Sequence, residues 1–369
     1  MGIKKNILIV AGEKSGEDHL LSFFADLKSK LPSYSFWGVA GDEAKKMGVE
    51  LSFHLKDFGS MGISEVIGKI PFYFSAMDKL VAQAELSGTE AAILIDFQDF
   101  NLRLAKKLTK KGIKVFYYVA PQAWVWRPSR VKELAQFTNH LFCILPFEKK
   151  WFSERGVKQI SSVLHPVYQK IEEENRWNHK EENKQEVLLL PGSRNSEVLR
   201  TLPVFLKALS NTSHQLTISI VKTSSVNSKI YEAYDDKIDK SYDSSDLYDA
   251  LENSKLCLAA SGTATLSCAL MQVPTIVGYK VSLLNELFYR VFVPYKGFIA
   301  LANLIAEREV FPELIQDKFS SFEIERKLKE WLSDSKKIDE VKEKASLVRE
   351  RFLFDNDNVV ETISKKLTC

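Results

Sequence analysis

The sequence predicts an α/β protein made of two open parallel sheets, each layered by helices. Three observations carry that prediction. A chain of 369 residues is longer than one hydrophobic core usually organises, since single cores stop growing near ~250–300 residues. Two stretches spell strand, tight turn and helix in the same way: Asn6 to Ala11 with Gly12 to Asp18, and Val187 to Leu190 with Pro191-Gly192-Ser193. Polar or glycine-rich residues follow the C-terminal end of each main apolar run, the edge at which open α/β sheets bind ligands.

Composition narrows the class. Hydrophobic residues at 45% and charged residues at 27% fit an ordinary globular protein. A net charge of +3 is too small to argue for a nucleic-acid partner. The four cysteines show no CxxC pair and no metal spacing; Cys143 and Cys257 lie in apolar runs and read as buried thiols. The apolar run Ile7 to Ala11 is too short for a signal peptide and reads as a first strand. Leu256 to Tyr279 carries no charge and is long enough to span a bilayer, but it contains Ser261-Gly262-Thr263, Gln272 and Pro274. It therefore reads as strand, turn, helix and strand inside a core.

Taken in order, Asn6 to Ala11 is a strand, and His19 to Lys28 is a helix with Leu20, Leu21, Phe24 and Leu27 on one side. The turn between them is neither GxGxxG nor a Walker A loop. Further strands are Tyr34 to Ala40, Ala91 to Ile95, Lys114 to Val119 and Leu141 to Leu145. Ile171 to Gln185 is highly charged and reads as a linker region. The second sheet takes Val187 to Leu190, Gln215 to Val221, Leu256 to Ala260 and Thr275 to Val277, while the polar segment Ser224 to Ser245 reads as surface helices and loops. Phe322 to Leu332 and Ile338 to Phe352 have helical spacing, and Asp355 to Leu367 reads as a helix returning to the first domain. The expected division is residues 1–168, a linker 169–185, a second domain 186–345 and a returning segment 346–369.

Two turns can hold an anion. Pro191-Gly192-Ser193-Arg194 and Ser261-Gly262-Thr263-Ala264 each place free backbone N–H groups at a helix start, where the macrodipole is positive, and arginine grips two oxygens at once. Together they suggest a pyrophosphate or sugar nucleotide, although a pair of ordinary N-capped helices has the same spelling. In the first half, Asp96 and Asp99 follow a strand and Glu13 sits in the first turn. Such carboxylates can converge as a general base, and Asp99 with Asn101 equally spells a helix cap. His19 and His165 rank below them, because a lone histidine is more often structural. Trp124, Trp126, Arg127 and Arg130 suit a sugar or acyl pocket, while tryptophans one residue apart on an extended segment also pack well on one side. Met61 to Phe74 and Phe288 to Lys296 mix aromatics with basic residues, which suits a membrane interface as well as a core.

These motifs, in this order, resemble those of the lipid-A-disaccharide synthases: Ala11-Gly12-Glu13-x-Ser15-Gly16, Met61-Gly62-x-x-Glu65-Val66, Asp96-x-x-Asp99-Phe100-Asn101, Trp124-x-Trp126-Arg127-x-x-Arg130, Leu145-Pro146-Phe147-Glu148, Leu190-Pro191-Gly192-Ser193-Arg194, Ser261-Gly262-Thr263-Ala264 and Asn303-Leu304-Ile305. The resemblance implies a GT-B glycosyltransferase: two Rossmann-like domains facing across a cleft, with a C-terminal helix packing back on the first. It implies an inverting transfer from UDP-2,3-diacylglucosamine to 2,3-diacylglucosamine 1-phosphate (lipid X), with no metal or other cofactor. It also implies work in the cytoplasm against the inner membrane as a peripheral protein, with a homodimer left open. By the same resemblance Asp96 is the base and Glu13 its substitute or orienter. Gly192, Ser193, Arg194, Ser261, Gly262, Thr263, Ala264, Asn303 and Glu309 would face UDP. Ser15, Gly16, Met61, Glu65, Asp99, Asn101, Trp124, Trp126 and Arg127 would face the acceptor. The family's usual aspartate after Ser-Gly is Glu17 here, and its glutamate after Thr-Leu is Ser267. An epimerase or soluble-acceptor transferase on the same scaffold, or a non-catalytic sugar-nucleotide or lipid binder, shares many of these features.

Overall fold

A computed structural model describes residues 5–58, 63–177, 185–212, 216–281, 295, 297–353 and 356–368, without the side chains of 63–67. The chain forms two compact units, Met1–Pro166 with Asp355–Cys369, and Val167–Phe354. The first unit contains β1 (Lys5–Ala11), α1 (Lys14–Lys30), β2 (Tyr34–Ala40), α2 (Asp42–Lys46), β3 (Val49–His54), α3 (Leu55–Phe58) and α4 (Ile63–Leu86). It continues with β4 (Thr89–Ile95), α5 (Gln98–Thr109), β5 (Lys114–Tyr118), α6 (Arg130–Phe137), β6 (His140–Cys143), α7 (Glu148–Ser153) and β7 (Ile160–Ser162). Its seven strands are parallel in the order β3-β2-β1-β4-β5-β6-β7.

The second unit runs through α8 (Pro166–Glu173), β8 (Glu186–Leu190), α9 (Asn195–Ser210), β9 (Thr217–Lys222), α10 (Ser228–Glu232), β10 (Lys240–Asp243), α11 (Leu247–Asn253) and β11 (Ser254–Ala260). It ends with α12 (Thr263–Leu270), β12 (Thr275–Tyr279), α13 (Leu301–Ala306), β13 (Glu313–Ile315), α14 (Ser321–Ser333) and α15 (Ser335–Glu350). Its six strands are parallel in the order β10-β9-β8-β11-β12-β13. The last helix, α16 (Val359–Thr368), belongs to the first unit and lies against α1, with Lys30 paired to Glu361 at 2.7 Å.

Central strands such as β1, β4, β8 and β11 are buried along most of their length, as parallel strands covered on both faces must be. The uncharged stretch Leu256 to Tyr279 is β11, α12 and β12, and no described helix is long and apolar enough to cross a membrane. Three sequence readings need correction. The segment Ser224 to Ser245 also contains a strand, β10, at the sheet edge. The start of the charged segment after Ile171 is not loose: Arg176 pairs with Asp249 at 2.6 Å and Glu252 at 3.1 Å, and Arg349 lies over the Trp177 ring. Trp124 and Trp126 do not share an extended face, because Ala123 to Trp126 is folded by bonds from Val125 and Trp126 N–H to the Gln122 carbonyl.

The two strand orders reverse at β1/β4 and at β8/β11, and each reversal opens a crevice above the strand ends. At the first, Asp96 (φ 48°) and Phe97 (φ 44°) are both left-handed, which costs about 1–2 kcal/mol per non-glycine residue. Several bonds over-determine the turn. The buried Asn101 amide donates to the carbonyls of Asp96 at 2.9 Å and Ile95 at 3.1 Å, and reaches Val10 at 3.5 Å. Tyr117 Oη–H donates to the Asp96 carbonyl at 3.0 Å, and Asp96 N–H donates to the Tyr118 carbonyl at 2.9 Å. The Phe97 ring lies over Gly12, where a Cβ would come within 2.5 Å of it. Asn101→Ala is expected to lower stability by about 1–3 kcal/mol, because buried carbonyls lose their donor. A urea midpoint equal to wild type would show that the turn does not depend on this amide.

Candidate active site

The crevice at β1/β4 opens into a cavity of about 650 Å³ within the first unit. Glu13 and Asp96 stand at its strand-end side, Tyr73, Phe97, Phe100 and Trp126 supply aromatic walls, and Arg103, Arg127 and Arg130 supply cations. Burial, and then the nearby Glu13 charge, push the Asp96 carboxyl up to about 6, against a lowering bond from the Phe97 backbone. A carboxylate with this affinity for protons can accept one from a bound hydroxyl near neutral pH.

Asp99 does not cap α5. The N-cap residue is Phe97, without a side-chain cap, and Asp99 instead accepts from Arg130 at 2.7 Å and Arg127 at 3.2 Å. The buried Arg130 also donates to Gln98 Oε1 at 2.7 Å, and both guanidiniums lie over the Trp126 ring, at 4.3 Å for Arg127 and 5.2 Å for Arg130. Asn101 is not a pocket residue; it is buried under the turn that carries Asp96. Trp124 turns away to donate Nε1–H to Glu148 Oε1 at 3.2 Å. Glu148 also accepts Leu145 N–H, and burial pushes its carboxyl up to about 7. Ser15 is exposed in the first turn of α1, and Gly16 is buried against Ala11 and Ile95. Met61 and the Glu65 side chain lie outside the described residues, as does most of Phe288 to Lys296.

Glu17, which stands for the family's aspartate, is buried and accepts Ala44 N–H at 3.1 Å at the start of α2. Its carboxylate packs against Gly41, where a Cβ would lie 2.4 Å from Glu17 Oε2. His19 and His165 form an edge-on ring pair at 5.9 Å, and burial pushes them down to about 4 and about 3, so both are neutral at pH 7.

The second reversal holds donors. After β8, Ser193 N–H donates to Glu197 Oε2 at 3.0 Å and Arg194 Nη1 donates to Glu197 Oε1 at 2.9 Å. The protein's own carboxylate thus engages the turn's anion-binding groups, and no serine side chain caps α9. Gly192 (φ 119°) leaves room for that carboxylate, since a Cβ there would lie 2.7 Å from Glu197. After β11, Gly262 has open space beside its Cα and Thr263 is exposed, while Ala264 is half-buried. Ser261 Oγ donates to the Ile299 carbonyl at 3.0 Å, and Leu301 N–H donates to Thr265 Oγ1 at 3.2 Å.

Asn303 is fully buried, donating to the Phe311 carbonyl and Glu313 and accepting Val310 and Phe311 N–H, each at 2.8–2.9 Å. It braces the loop that carries the exposed Glu309. Ser267 is buried beside Tyr248. Sequence reasoning does not single out Tyr73, Phe97, Arg103 or Glu313. The available signal for Arg103 was the helical spacing Asp99, Arg103, Lys106, Lys110.

The family model described as lipid-A-disaccharide synthetase matches residues 7–367. The lipid-A-disaccharide synthase of Syntrophus aciditrophicus is 36% identical over 324 residues, covering 85% of this chain and 84% of the relative. That of Myxococcus xanthus is 33% identical over 332 residues, with 85% and 84% covered. Among solved structures, Acinetobacter baumannii MurG superposes with a TM-score of 0.59 at 12% identity, covering 99% of both chains, a likeness of fold alone. The two parallel-sheet units are those of GT-B glycosyltransferases. This chain belongs to the lipid-A-disaccharide synthase family and is a glycosyltransferase of lipid A biosynthesis.

Proposed function

We propose that the protein transfers 2,3-diacylglucosamine from its UDP carrier to the sugar hydroxymethyl group of 2,3-diacylglucosamine 1-phosphate, with inversion. The observation that carries this reading is the Asp96 carboxyl, raised to about 6, in an aromatic-walled cavity. The acceptor oxygen attacks the donor's anomeric carbon as the bond to the UDP oxygen breaks. Asp96 takes the hydroxyl proton, and the bonding pair leaves with UDP. Glu13 orients the acceptor and keeps Asp96 basic. Tyr73, Phe97 and Trp126 receive sugar and acyl surface, beside Asp99 and Arg127.

On the nucleotide side, Ser193, Arg194 and the Ser261-Gly262-Thr263 turn hold the diphosphate. Arg194 exchanges Glu197 for the diphosphate and stabilises the leaving charge. Gly192 and Ala264 keep side-chain bulk away from that ligand, and Asn303 acts by holding the Glu309 loop. The protein works peripherally, at the cytoplasmic face of the membrane. Support for this comes from Ile70, 43% exposed, and Phe74, 46% exposed, on α4 beside Arg103.

UDP release from UDP-2,3-diacylglucosamine in mixed micelles should require the phosphorylated acceptor and should yield a disaccharide on mass spectrometry. Asp96→Asn should lower turnover about 10²–10⁴-fold while UDP still binds; full activity would remove Asp96 from the mechanism. The rate should fall as pH drops through about 6, because only ionised Asp96 accepts the proton. Glu13→Gln removes a charge that raises the Asp96 pKa, so the acid limb should move to lower pH. A limb that stays in place would show that Glu13 does not tune the base.

A further inference from the structure

A second cavity, of about 590 Å³, runs along α5 and shares Phe74, Met77, Asp99, Arg103, Arg127 and Arg130 with the reaction cavity. Six cationic side chains line it against two carboxylates, Asp99 and Glu133. The cations are not equally engaged. Arg127 and Arg130 share Asp99, and Lys107 is paired with Asp78. Among the described residues, no carboxylate pairs with Arg103, Lys106 or Lys110. These three are exposed and fall at intervals of three and four, Arg103 and Lys106 on one face of α5 and Lys110 at its C-cap. Arg103 lies over the Phe74 ring at 6.0 Å and Lys106 over the Phe137 ring at 5.6 Å. The groove therefore offers unneutralised positive charge beside apolar surface, an environment for a phosphate attached to a lipid.

We propose that this groove seats the acceptor's anomeric phosphomonoester, with Arg103 and Lys106 as the side chains that grip it. The assignment rests on the transferase reading above and adds to it a phosphate subsite. Arg103 is five residues beyond Gln98, where α5 starts just after the Asp96 turn, which is about 7.5 Å along the helix from Gln98. The hydroxymethyl carbon and the anomeric oxygen lie on either side of the acceptor's ring oxygen, so a sugar with its hydroxymethyl oxygen at Asp96 keeps its phosphate in the same cavity, whose lining Arg103 shares with the groove. The phosphomonoester carries about −1.5 to −2 charges near pH 7, and Arg103 with Lys106 supplies two positive ones. The groove consequently selects a phosphorylated acceptor and fixes which of its hydroxyl groups meets the base.

The test compares the acceptor with and without its anomeric phosphate. Both are titrated against the full chain in neutral-detergent micelles, using wild type, Arg103→Ala and the double variant Arg103→Ala/Lys106→Ala. Wild type should bind the phosphorylated acceptor more tightly. Arg103→Ala should weaken that acceptor about tenfold to a hundredfold and leave the dephosphorylated one within about twofold, below the worth of one hydrogen bond. The double variant should abolish the discrimination, and UDP affinity should not move. In turnover, the loss should fall on the acceptor KM and spare kcat, with partial rescue by Arg103→Lys. Equal weakening of both acceptors would overturn the proposal. So would a loss that emerges only when phosphatidylglycerol is added, which would assign the groove to membrane headgroups. If wild type turns over neither acceptor, the transferase reading fails, while the binding difference still decides the groove.

Discussion

The reversal of strand order is the constraint on which the rest depends. Beside β1 the chain lays β2 and β3 on one side and β4 to β7 on the other, and beside β8 it does the same with β9 and β10 against β11 to β13. Right-handed crossovers then send the connections to opposite faces of the sheet, and the strand ends at the reversal stay uncovered. The turns after β1, β4, β8 and β11 therefore lie at the two crevices. The central strands below them are buried along most of their length.

The two crevices use that exposure with opposite polarity. At β1/β4 the turns present Glu13 and Asp96, and low hydration with mutual repulsion raises the proton affinity of Asp96. At β8/β11 the turns present N–H groups and Arg194, with Glu197 as an internal counter-charge. One crevice is thus suited to accept a proton and the other to hold an anion. The first needs strain: consecutive left-handed residues aim Asp96, and Asn101, Tyr117 and the Phe97–Gly12 contact hold them there. The second needs space, which Gly192 and Gly262 leave.

Much of the fold was legible because central parallel strands are continuous apolar runs. The strands that escaped notice, β3, β7, β10 and β13, are the four sheet edges. Each lacks such a run: β3 is only partly buried, β7 and β13 have three residues each, and β10 reads Lys240-Ser-Tyr-Asp and is mostly exposed. The carboxylates and the two anion turns were legible because their residue types follow strands directly. The pairing of Asp99 with Arg127 and Arg130 was not, since it joins α5 to a loop and to the first residue of α6, 28 and 31 residues away.

By itself, then, the sequence determined the α/β class, the central strands, the strand-end placement of Glu13, Asp96, Ser193, Arg194 and Ser261, and the family. Local chemistry is enough for these, because a strand followed by a polar turn is written in contiguous residues. Only the tertiary structure decided which turns share a crevice and which polar residues are struts. Asn101 and Asn303 look like ligands in the sequence and are consumed by buried backbone groups in the fold. It also gathered Arg103 with Arg127 and Arg130 around one cavity. The physical reason is that burial, proton affinity and charge pairing arise from neighbours brought together by packing, whose separation along the chain carries no mark of their contact.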